Sequence, residues 1–379
     1  MKSIVRICML WFLALGLAGC SDQPPLLKTT GEDYPEKLSD WRIHKISRQT
    51  LKLNTGVIPY DMNTPLFTDY ASKLRTVWVP EGQKAEATED DIIYPVGTII
   101  SKTFYYPLAG GDDRNRVQAS EGGPVLYTQD KGLPLDKVHL VETRVLVKQE
   151  QGWVALPYYW NEEQSDASLE WVGESKQLTL VKGSGKEESF PYIIPDANQC
   201  AGCHAPEENR RMLKPLGPKP RHLNRDFVYA TGTENQLAYW HRTGILDGID
   251  DPASAPQNAL WPVARSDESL EKQARSYLDA NCSHCHNSAG PARTSGLFLS
   301  LDTPWGTQFG VCKRPIAAGK GTGNRSVSIL PGEAEGSILT YRMTSRDPGE
   351  MMPELGRSLA HKEGVELIER WINSLPPEC

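Results

Sequence analysis

The sequence predicts a multidomain α+β chain: an antiparallel β-rich N-terminal region, sandwich or barrel, followed by two mainly α-helical domains. Three observations carry this. Short runs rich in β-branched and aromatic residues crowd the first half. Helical periodicity is confined to the second half. One five-residue motif occurs twice, at Cys200–His204 and Cys282–His286.

The strands come first. Thr76–Val79 is a short apolar run closed by Pro80, and Gly97–Tyr106 is β-branched and aromatic. Val141–Val147 alternates apolar and polar, Trp153–Trp160 follows Gly152, and Gln177–Val181 closes the set. Such runs, bounded by Gly, Pro, Asn and Asp, read as strands. Trp78, Trp153, Tyr158 and Trp160 are expected in the core. Asp61, Asp69, Glu162 and Asp166 are scattered carboxylates, expected to be solvated or capping. His44 and His139 read as structural or surface histidines.

In the second half, Thr233–Gln236 has the form of a capping box, opening a helix that stops at Gly244. Leu270, Ala274, Tyr277 and Leu278 share one helix face, and Asp267 and Glu268 suit its positive end. A last amphipathic helix is expected from about Lys362 to Ser374. The polar, Pro-containing stretch 250–256 reads as a linker.

The repeated motifs, Cys200-Ala201-Gly202-Cys203-His204 and Cys282-Ser283-His284-Cys285-His286, fit C-x-x-C-H, the c-type haem attachment signature. One helical turn presents both thiols to the two vinyl groups of one porphyrin, and the adjacent His turns onto the iron. The bland alternatives are a zinc site or a redox dithiol. The wide separation of the two pairs and a His after each argue against them. The expected cofactors are therefore two covalent c-type haems on Cys200, Cys203, Cys282 and Cys285, with His204 and His286 as proximal ligands. His284 is expected at the surface.

The N-terminus fits export. Lys2 and Arg6 precede an apolar run, Ile7–Leu17, too short for a membrane span. It ends Leu17-Ala18-Gly19-Cys20, which resembles the bacterial lipobox, so Cys20 is the expected lipidation site. Several acyl chains on one Cys anchor durably. By resemblance to sorting rules, Ser21 points to the periplasmic side of the outer membrane rather than the inner. The cysteine arithmetic then leaves Cys312 and Cys379, of eight cysteines, to pair. By chain entropy that bond is worth roughly 4 kcal/mol at best. A net charge of −7 gives no indication of nucleic-acid binding.

The expected organisation is a lipoprotein signal peptide over 1–19, a tether over 20–35, a β-rich domain over 36–192, and cytochrome c-type haem domains over 193–256 and 257–379. The far-side ligand of the first iron is open among Met212, His222 and His241, or the iron is open. For the second, Met351 and Met352 are the candidates, with Met343 weaker. A Met ligand raises the potential relative to a second His.

Several stretches resemble a family of bacterial diheme c-type cytochrome lipoproteins: Pro65–Tyr70, Tyr94–Thr98, Leu216–Lys219 with Leu223–Asp226, and Met351–Arg357. The resemblance implies two haems and a membrane-anchored architecture. Asp347–Pro353 is similar to bacterial cytochrome segments whose ligand is the Met before Pro, which favours Met352 over Met351. The order helix, C-x-x-C-H, loops, Met, helix over 257–379 resembles a class I cytochrome c. The expected function is one-electron carriage between periplasmic redox proteins. The alternatives are a diheme peroxidase-like enzyme using an open first haem, or the electron-accepting subunit of a partner dehydrogenase.

Overall fold

The computed structural model describes residues 23–119, 126–205, 212–261, 268–316 and 318–379. The signal run and Cys20 lie outside the described residues.

A six-stranded antiparallel sheet forms the centre. Its order is β12 (Ala167–Leu169), β11 (Gly152–Trp160), β10 (Val138–Gln149), β7 (Ile99–Pro107), β4 (Ser72–Trp78), β3 (Ile58–Tyr60). The alternation of its strands gives it two unlike faces. Leu74, Ile99, Tyr105, Val145, Leu156, Tyr158 and Trp160 point to one side. There they pack against Leu38 and Trp41 and a small sheet of β1 (His44–Ser47), β2 (Thr50–Leu53) and β9 (Leu133–Pro134). Sheet thus packs on sheet at this face.

The opposite face is covered at its two ends. At one, Phe104 and Tyr106 meet Phe190 and Tyr192 of a sheet ordered β14 (Glu187–Ile194), β13 (Glu174–Val181), β8 (Arg116–Gln118). At the other, Val77 and Ile100 meet Leu237 and Trp240.

The two mainly helical domains are not what the chain forms. Strand makes up 29% of the structure and helix 20%. In 193–256 the helices are short: α1 (Ala197–His204), α2 (Pro220–Leu223) and α3 (Gln236–Arg242). They share the segment with a hairpin of β15 (Asp226–Tyr229) and β16 (Gly232–Asn235). The strand β17 (Leu246–Asp247) joins β5 (Ala85–Ala87) and β6 (Ile92–Ile93), so this segment completes a sheet begun far upstream. A stretch this short builds no core alone, and it borrows the central sheet's instead.

The expected capping box at Thr233 does not form. Thr233 pairs in the hairpin, and Asn235 caps α3 through Leu237 N and Ala238 N. Gln236 instead donates to the carbonyls of Asp61 and Leu223 and accepts from Asp61 N. Gly244 does end the helix, at φ +79.

In 257–379, α4 (Leu270–Asn281) is capped by Ser269 and packs on α6 (Lys362–Ser374), with α5 (Ile338–Thr344) beside them. Their core includes Leu278, Phe309, Ile368 and Trp371. Long irregular loops make up the rest of the segment. Cys312 and Cys379 are disulfide-bonded, closing a loop of 67 residues.

The expected tether is shorter than 20–35. Leu26 N donates to Trp41 O at 3.0 Å, Glu150 N to Thr29 O at 3.0 Å, and Leu26 and Tyr34 pack on the core. No helix among the described residues is long and apolar enough to cross a membrane.

Candidate functional site

Both C-x-x-C-H motifs open into one cavity of about 540 Å³ between the central sheet, the 215–218 loop and the α4–α6 unit. All four motif cysteines, His204 and His286 line it.

The first motif sits on α1. Asp196 caps that helix in a reciprocal box, its carboxylate accepting from Gln199 N (2.7 Å) while Gln199 Oε1 accepts from Asp196 N (3.0 Å). Cys200 and Cys203 are thus one turn apart on a helix whose start is fixed. His204 Nδ1–H donates to the carbonyl of Lys214 at 2.7 Å. That bond fixes the tautomer and leaves the Nε2 lone pair free for a metal, as a ligating histidine requires. Burial, then nearby Lys102, pulls the imidazole down to about 4, so it is neutral at pH 7.

The second motif turns off the end of α4. Cys282 N donates to Leu278 O, and Cys285 N and His286 N both donate to Cys282 O. His286 Nδ1 lies 3.5 Å from Ser295 Oγ, whose hydroxyl already donates to Ala292 O (2.7 Å) and so accepts here. Burial holds His286 at about 4 as well.

The two motifs adjoin. Cys285 Sγ lies 3.9 Å from Gly202 O. Cys203, His284 and Cys285 bring their ligand atoms within 4.8 Å of one another. His284 is therefore half-buried on the cavity wall, a correction to its expected surface place. Cys285 and His284 stabilise the Cys203 thiolate and hold that thiol low, while the Cys285 thiol is pushed up. Burial raises Cys200, and raises Cys282 to about 12.

Met352 lines the cavity; Met351 is buried behind it and does not, and Met343 lines it from α5. The Met352 loop is pinned by Arg357, which donates to the carbonyls of Met352, Arg342, Ser345 and Leu359. Asp69 holds the next turn, its carboxylate accepting from Ser358 N and Leu359 N at 2.7–2.9 Å. The two partners are 289 and 290 positions away in sequence.

None of the three expected ligand candidates for the first motif reaches the cavity. Met212 is 53% exposed and His241 is exposed. His222 is buried, but its Nε2 lies 3.1 Å from Asp279, which Arg221 and Asn258 also hold. That contact occupies His222, one of the candidates for the first motif. Met212 and His222 are corrected accordingly.

Sequence reasoning missed Lys102, Arg144 and Arg357. A usable signal existed for Arg144, which follows Glu142 at the second position within a strand rich in Val and Leu; Lys102 is the single charge of its strand.

The donor set fits c-type haem. Paired thiols and a pre-oriented imidazole repeat twice on a wall with Leu66, Ile100, Leu146, Leu297 and Leu339 among its apolar residues. Compared with known proteins, no family model, curated protein or solved structure matches the chain.

Proposed function

We propose that the chain is an exported diheme c-type cytochrome that passes single electrons between redox partners outside the cytoplasm. The observation that carries this is the convergence of both C-x-x-C-H motifs on one cavity, with His204, His286 and Met352 in its wall. When bound, each haem iron supplies a one-electron couple.

The residues divide the remaining work. Cys200, Cys203, Cys282 and Cys285 hold two porphyrins covalently. His204 and His286 present Nε2, kept in place by Lys214 O and Ser295 Oγ. Met352 offers its thioether on the second site, and Arg357 holds that loop against the cavity. The adjoining motifs keep the two attachment points close, which favours transfer within the chain. The apolar lining excludes water and keeps the surrounding dielectric low. Lipidation at Cys20 would hold the protein at the periplasmic side of the outer membrane, and resemblance to the diheme lipoprotein family supports that placement.

A second reading is a haem enzyme, peroxidase-like, with an open first iron. It is favoured by the absence of Met212, His222 and His241 from the cavity wall. The convergence of Cys203, His284 and Cys285 suits a zinc site as a competing occupant.

One experiment separates these. The protein is produced in a bacterium with c-type maturation, and its covalent haem and zinc are counted. Two haems per chain, both low-spin and indifferent to cyanide, are expected. A chain without covalent haem, or with one zinc instead, overturns the proposal. A cyanide-binding haem lost with Cys200→Ala/Cys203→Ala moves the enzyme to the front.

A further inference from the structure

The cavity-facing side of the central sheet has apolar ends and a cationic middle. Arg75, Lys102 and Arg144 stand directly opposite one another across β4, β7 and β10. All three line the cavity. Like charges in direct cross-strand register are destabilising by themselves.

Two of the three have carboxylates. Arg75 pairs with Asp61 at 2.8 Å, though Asp61 is shared with Arg225 at 3.5 Å. Arg144 is held by both oxygens of Glu142, at 2.8 and 2.6 Å. Lys102, between them, makes no ion pair or side-chain hydrogen bond among the described residues; it faces the ring of Phe104 at 5.1 Å and feels Glu142 only at a distance. Lys73 on the next row also faces Phe104, at 5.7 Å. Within the row, three cations thus meet two carboxylates.

We propose that Arg75, Lys102 and Arg144 form a carboxylate-binding row that receives the propionate edge of the first haem, an inference that rests on the diheme reading. The cation left over in the row, flanked by two guanidiniums, suits the carboxylate edge of a porphyrin. The row lies beside α1, and Lys102 is close enough to Cys203 and His204 for their charges to interact. Burial and the two guanidinium neighbours also pull Lys102 down to about 7. An anion seated in the row removes that burden and the cross-strand repulsion together.

The test uses matured, full-length protein as wild type, Lys102→Met and Lys102→Arg. Midpoint potentials are followed from acid to alkaline pH, and the propionate bending bands are read by resonance Raman. In Lys102→Met, one potential is expected to fall and to acquire a pH-dependent step, because a propionate without its cation titrates within the measured range. Its Raman band shifts too, while the other haem is unchanged and Lys102→Arg stays near wild type.

Unchanged potentials, pH profile and bands in a two-haem Lys102→Met protein overturn the proposal. A wild-type potential that responds to added succinate, lost in Lys102→Met, overturns the propionate assignment and gives the row to a free carboxylate. Should Lys102→Met not mature, Lys102→Gln replaces it, and the band shift in Lys102→Arg is read as well. A wild-type chain without covalent haem overturns the diheme reading instead, and the haem count reveals this before any variant is made.

Discussion

At the scale of single residues, the two C-x-x-C-H motifs stood out in the sequence, and the structure brings both to one cavity. The far-side ligands did not stand out. Met212, His222 and His241 were near the first motif in sequence, yet what decides ligation is which side chains face the cavity. His222 went to Asp279, a partner 57 positions on that no local pattern announces. Met352 over Met351 is now a geometric distinction, since adjacent residues there face opposite ways. On the diheme proposal, Met352→Ala is expected to abolish the near-infrared sulfur-to-iron charge-transfer band and lower one potential. Met351→Ala should spare the band and cost about 2–5 kcal/mol of stability, as a buried truncation does. Optical spectra with denaturant titrations check both, and a band lost only in Met351→Ala would reverse the assignment.

Elements were legible where their period was strong. The strands at 99–107, 138–149 and 152–160 and the helices at 270–281 and 362–374 fall where alternation and the 3.6 period place them. Failures came where tertiary partners outbid local signals. Thr233 had a capping sequence but gained more as half of a hairpin, and the segment 193–256 was too short to bury its own apolar surface. Nor did periodicity reveal how closely α4 and α6 approach. Gly364 leaves no room for a Cβ, because the Tyr277 ring lies against it. Gly364→Ala should therefore destabilise by roughly 1–3 kcal/mol despite alanine's better helix propensity. Thermal unfolding measures this, and a stabilised variant would mean that Tyr277 moves aside cheaply.

At the scale of the whole molecule, connections between distant segments matter most, and sequence says least about them. Asp69 holds Ser358 and Leu359, Phe67 N donates to Asn281 Oδ1 (2.8 Å), and Thr64 Oγ1 donates to Ala259 O (2.7 Å). The Pro65–Tyr70 stretch is thus a junction, not a surface loop. Asp279 is another. Burial opposes its charge, but His222, Arg221 and Asn258 outweigh that and hold its carboxyl well below 3.8. A depressed carboxylate contributes stability above its unfolded pKa, and that contribution is lost as pH falls through the folded value. Asp279→Asn is expected to cost about 3–5 kcal/mol at neutral pH, because Arg221 loses its buried counter-charge and keeps only the exposed Asp90 and Asp302, at 3.3 and 3.6 Å. The gap to wild type should narrow on acidification below the ordinary carboxylate range. Urea unfolding across pH reads this directly, and a pH-independent gap would remove the electrostatic account.

The pinning of Leu26 and Thr29 to the body has a consequence for how the protein would sit on a membrane. If Cys20 carries lipid, the five residues between it and Leu26 reach roughly 18 Å at most when fully extended, and Gln23 among them is held to the body, its carbonyl accepting from Asn54 Nδ2 at 2.8 Å. The body would then ride almost on the headgroups, with the Leu26–Trp41 edge turned down toward them. Electron donors and acceptors would have to come to it laterally or from above, since it could not swing out on a long leash to meet them.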